Sequence, residues 1–160
     1  MQVQLFYDAP EDRLKLIVAE KAASRGWWIT RRAARMLADA LAARLSETVP
    51  PDTVGAARDW ALAQHREEAT RHIPITSTPI LTVEYAHLLT AVRHGRHADG
   101  RHLLVLIGKN NEEQGLVCDD ESLYAFLELF RQQLAQTDWD LLLRWPDARQ
   151  EIGVAVAKIQ

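Results

Sequence analysis

Apolar residues fall on every second position at the start of the chain. Val3, Leu5 and Tyr7 form one alternating set, and Leu14, Leu16 and Val18 form another after a polar break. A period of two is that of a strand with one buried face, so the pattern predicts two strands that pair. The break, Asp8-Ala-Pro-Glu-Asp12, reads as a turn, with proline fixing one φ and aspartates bonding nearby amides. Gly26 then opens a short third strand, Trp27–Ile29, and Thr30 is placed to cap a helix. Ala34, Leu37, Leu41 and Leu45 recur at helical spacing and give that helix its core face.

The same order returns downstream. Ala98-Asp-Gly-Arg101 reads as a hairpin with a two-residue turn, because Asp-Gly tolerates positive φ. The run Leu103–Ile107 predicts a central strand, apolar on both faces. Gly108-Lys-Asn-Asn111 is a hairpin loop; it lacks the glycines and hydroxyl of a phosphate loop. Asp119 is the expected cap of a second helix, with Asp120 and Glu121 at its positive dipole end. Leu123, Phe126, Phe130 and Leu134 make its apolar stripe.

Set in register from Asp12 and from Gly100, with one extra residue in the second loop, the two stretches match throughout. Leu16 falls on Leu104, Ile17 on Val105, Lys21 on Lys109, Gly26 on Gly115 and Leu45 on Leu134. The expectation is an α+β fold made of two diverged copies of a βββα unit, forming antiparallel sheet(s) with helices packed on one face. The units span 1–48 and 81–137, joined by a connecting helix and Pro-bracketed segment over 49–80 and followed by C-terminal strands or tail over 138–160. Within the connection, Pro50-Pro51-Asp52 starts a helix running to about Arg71, and Pro74 and Pro79 lead into a strand near Leu81–Tyr85. Trp139–Trp145 and the alternating Ile152, Val154 and Val156 read as further strands. In topology, tandem units of this order resemble the Whirly-type and PUR-type single-strand nucleic-acid binders, a likeness that implies a sheet used as a platform.

Composition narrows the classes. The 160 residues carry a formal net charge of −3, which advertises no polyanionic partner. One cysteine, Cys118, excludes an internal disulfide and the common thiolate zinc sites. Neither a signal peptide nor a membrane-spanning run is legible, so a soluble cytoplasmic protein is expected. Abundant alanine, leucine and arginine with little lysine suit a GC-rich bacterial genome.

Three features could carry function. Arg25, Arg31, Arg32 and Arg35 cluster around Trp27 and Trp28, with three arginines at a helix start whose dipole is already positive, a placement that asks for an anion. The two tryptophans point to opposite sheet faces, so one belongs to the core and the other is a stacking platform. The plain alternative is structural indoles and solvated or salt-bridged arginines. At the equivalent place the second unit carries Asp120 and Glu121, and patches of opposite sign invite pairing within or between chains. Thirdly, His97 and His102 would face each other across an Asp99-Gly100 turn and form a two-imidazole metal candidate, although no third ligand is evident and a solvated hairpin tip accounts for them. Cys118 reads as a small buried side chain.

No catalytic triad, paired-histidine helix or dinucleotide fingerprint appears, and no cofactor is implied. The reading is a non-catalytic module that binds another protein or itself, through Trp28, Arg25, Arg31, Arg32 and Arg35 on one patch and Asp120 and Glu121 on another. The alternatives are a single-stranded DNA or RNA binder using the Trp/Arg patch, and an enzyme or metal protein using the histidine hairpin.

Overall fold

The computed structural model describes residues 1–21, 23–72 and 81–141. Among these described residues, six strands and three helices follow in the order β1 (Gln2–Asp8), β2 (Arg13–Glu20), β3 (Ala23–Ile29), α1 (Arg31–Leu45), α2 (Gly55–His72), β4 (Ala86–Arg96), β5 (His102–Gly108), β6 (Glu113–Cys118) and α3 (Asp120–Leu134). The strands form one sheet in sequence order, β1 through β6. The fold is α+β, but the sheet is mixed rather than antiparallel. Neighbours joined by hairpins are antiparallel, whereas β3 and β4 pair in parallel through Gly26–Trp28 and Ala86–Leu88. The cause is the long helical crossover between them, which returns the chain to the end where β3 began.

One sheet face holds the core. Leu5, Leu14, Leu16, Val18, Trp27, Ile29, Leu104, Leu106 and Leu116 are buried there beneath Leu37, Leu41 and Leu45 of α1 and Leu123, Leu127 and Phe130 of α3. The helices exchange places: α1 follows β3 but lies against β4, and α3 follows β6 but lies against β1. Tyr7 at the β1 edge donates its amide N–H to Gln133 of α3, at 3.0 Å. α2 packs on α3, fastened by Arg66 to Glu128 at 3.1 Å. Among the described residues, no helix is long and apolar enough to cross a membrane.

Several local expectations move. β3 begins at Ala23, and Gly26 lies within it because the incoming chain needs the room: a Cβ there would come within 2.6 Å of Val83. Residues 81–85 are therefore not a strand but a strap across the face away from the helices. Leu81 donates its N–H to Gln4 at 2.7 Å, and Ile17, on that same face, is buried outside the main core. α2 starts at Gly55, after the turn at Pro51-Asp52. Trp139–Leu141 is not extended into a strand; the Trp139 indole is buried and donates to Asp12 at 2.7 Å. Pro74, Pro79, the rest of the stretch to Trp145 and the alternation at 152–156 lie outside the described residues.

The second hairpin turns on three residues, not two. His97 donates to Arg101 O and Gly100 to His97 O, both at 2.9 Å, with Gly100 at φ 89°. A type I turn closed by a left-handed glycine shifts the register by half a step. Arg96, not His97, then stands opposite His102.

Candidate functional site

Among the described residues, the face turned away from the helices carries a run of partly exposed apolar side chains. Strand alternation puts every second residue there, and register lines them up across strands. In the first half, Phe6, Lys15, Trp28 and Leu88 form one row over four strands, each partly exposed. The Lys15 ammonium sits 5.0 Å from the centre of the Trp28 ring, a cation–π arrangement. The adjacent row, Gln4, Ile17, Gly26 and Ala86, is the one the 81–85 strap crosses.

In the second half no strap is described. Leu103, Val105 and Ile107 of β5 and Val117 of β6 are half-buried side chains on the open side of strands whose alternate residues are core. Beside them stand Ala91, Arg93 and Gly95 of β4 and Glu113 and Gly115 of β6. The charges of this block answer each other, Arg93 to Glu113 at 2.7 Å. What remains is a band of branched aliphatic side chains.

The arginine cluster does not gather around Trp28. Trp27 is the core indole, with no exposed surface and its N–H given to Gln114 at 2.6 Å; Trp28 is the partly exposed one, on the opposite face. Arg25 donates to the Glu113 carbonyl at 2.9 Å, and Arg31 to the Asp140 carbonyl at 3.2 Å. Arg32 and Arg35 are exposed on α1, on the helix side of the sheet. The opposite charges at the two helix starts are engaged elsewhere: Arg31 with Asp140, and Asp120 with His102. Glu121 is exposed.

His97 and His102 are separated by the register. His97 pairs with Asp99 in the hairpin tip at 3.0 Å, and Arg101 beside it holds the Asp99 carboxyl far below the usual range. His102 is fully buried, opposite Cys118, with Nε2 2.8 Å from Asp120. A carboxylate only accepts, so Nε2–H donates and the buried Nδ1 is left without a partner among the described residues. Burial pushes the Cys118 thiol up to about 11, with Asp119 adding to the effect, so it is a poor nucleophile. No group of three His, Cys, Asp or Glu residues among those described is placed to hold a metal ion.

Phe6, Lys15, Leu88, Val105 and Val117 stand outside the charged and tryptophan clusters legible in the sequence. For Val105 the signal was present: the run Leu103–Ile107 is apolar at both parities, so whichever side faced the helices, the other had to be apolar too. Comparison with protein-family models, with curated proteins and with solved structures gives no match.

Proposed function

We propose that this chain is a non-catalytic protein-binding module, an adaptor or accessory part of a bacterial cytoplasmic assembly, and that its contact surface is the open sheet face. The observation that carries the reading is the band of half-buried Leu103, Val105, Ile107 and Val117, continued by Leu88, Trp28 and Phe6. An apolar band rimmed by polar residues on a folded chain marks a site of association, and its thin charge suits a protein partner better than phosphates. Arg25 and Arg31 are spent on backbone carbonyls, which weakens the Trp/Arg patch first expected around Trp28. Arg32 and Arg35 on α1, and Asp120 and Glu121 at the start of α3, lie on the helix side and so stand outside this contact surface.

Comparative affinity capture from a host extract, native chain against Val105→Asp, tests this. Proteins held by the native chain and lost from the variant support the sheet face, and an unchanged set sinks it. The Lys15–Trp28 pair favours a second reading, a single-stranded DNA or RNA platform. Anisotropy of labelled oligonucleotides at low and moderate salt separates the two, with flat traces expected. Saturable binding lost in Trp28→Ala would replace the first reading.

We also read the two βββα segments as an internal duplication. Both helices have 15 residues, and each cap side chain, Thr30 and Asp119, accepts the N–H three residues on. Exchanged packing of α1 on β4 and α3 on β1 supports the same origin. Relatives of this chain should keep matched residues at Leu16 and Leu104 and at Gly26 and Gly115; unrelated drift at these pairs would end the idea.

A further inference from the structure

The sizes of the side chains on either flank of β5 are opposite, level by level. Across β5, Gly95 of β4 is level with Val117 of β6, Arg93 with Gly115, and Ala91 with Glu113. A Cβ built at Gly95 would meet nothing within 4 Å among the described residues, and one at Gly115 would meet only Leu103, at 3.4 Å. Each flank thus presents hollows where the other presents projections.

We propose that the occupant of this face is a second copy of the same chain, packed sheet to sheet about a two-fold axis running along β5; this rests on the open face being a protein-binding surface. Such an axis lays β4 of one chain over β6 of the other while keeping every level aligned. Val117 of each copy then enters the hollow at the partner's Gly95, and Arg93 lies over the partner's Gly115. Arg93 also comes beside the partner's Glu113, so the ion pair made within one chain is matched by pairs between chains. The central contact is Leu103, Val105 and Ile107 against themselves. The Arg93–Glu113 pair bridges β5 within each chain, so charge and apolar side chains on one copy meet their counterparts on the other.

The experiment is sedimentation equilibrium of the native chain, of Gly95→Val and of Val105→Asp, over a wide range of concentration. The native chain should run at twice 18.1 kDa. Gly95→Val fills the hollow with a residue the strand accepts, at a backbone position outside the left-handed region, so it should fold as well as the native chain and run as a monomer. Val105→Asp should also be monomeric. A native chain that stays monomeric at the highest attainable concentration overturns the proposal, as does a dimer that survives both substitutions. If the native chain is monomeric yet Val105→Asp loses captured proteins, self-association is wrong and the binding face stands. Unchanged capture by that variant removes the binding face itself.

Discussion

The corner where β2 and β3 lead into α1 and the corner where β5 and β6 lead into α3 are built alike and filled differently. In the first, Leu14 stands opposite Ile29, both without exposed surface, and Thr30 and Arg31 follow. In the second, His102 stands opposite Cys118, with Asp119 and Asp120 after them. A buried imidazole is tolerated in the second corner because the first residue of the helix carries a carboxylate that takes its N–H. The first corner has an arginine at that point, which has nothing to accept with. The same backbone therefore sets different prices for the same side chain, and the deciding residue is outside the layer.

The largest difference should come from the two neighbouring tryptophans of β3, one on each face of the sheet. Trp27→Ala empties the centre of the core and loses the bond to Gln114, which should cost about 3–5 kcal/mol in urea unfolding. Trp28→Ala, one residue away on the open face, should cost about 1 kcal/mol, since its ring is already partly in water. Equal losses would mean that the open face is covered in solution, and the concentration dependence of the Trp28→Ala loss would say whether a second copy does it.

Exchanging the two corners should give the next effect. Leu14→His puts an imidazole where Arg31 answers it, and about 3 kcal/mol should be lost. His102→Leu removes a buried nitrogen that has no partner and frees only the exposed Asp120, so stability should stay within about 1 kcal/mol of native or rise. A severe loss in His102→Leu would show that the imidazole is held by more than Asp120.

Gly26 and Gly115 sharpen the contrast between a strapped and an unstrapped face. Gly26→Ala drives a Cβ into Val83 and should cost about 1–3 kcal/mol, whereas Gly115→Ala meets Leu103 at an ordinary distance and should be close to neutral. If both are neutral, the 81–85 strap lifts freely from β3.

These glycines also show where the sequence stopped being informative. Strand alternation, the apolar run at Leu103–Ile107 and helix periodicity located β1, β2, part of β3, β5 and both 15-residue helices, because each of those signals is local. The strap was read as a strand, yet Leu81 and Val83, both partly exposed, lie across the far side of β1–β3, a contact about which local period says nothing. The parallel pairing of β3 and β4 depends on where a long crossover lands, and the His97 register on whether a turn closes over two residues or three. The arginine cluster was legible as charge but not as use: the carbonyls that take Arg25 and Arg31 come from residues 88 and 109 positions further along.

The smallest effect separates the two helix caps by pH. Thr30 accepts from Ala33 N–H and Asp119 from Ser122 N–H, so alanine at either position should cost about 1 kcal/mol at neutral pH. They differ in charge. Hydrogen bonds from Ser122, side chain and backbone, hold the Asp119 carboxyl below its ordinary value, with Arg101 helping. A carboxyl whose value is lowered by folding stabilises the fold above its unfolded value, and that part is lost as pH falls through the lowered one. The gap between the native chain and Asp119→Ala should therefore shrink on acidification, while the Thr30→Ala gap stays constant. Urea melts of all three chains at neutral pH and below the carboxylate range read this directly. Parallel behaviour of the two caps would mean that Asp119 works through hydrogen-bond geometry alone, and that the charge contrast between the corners lies in Asp120 and Arg31.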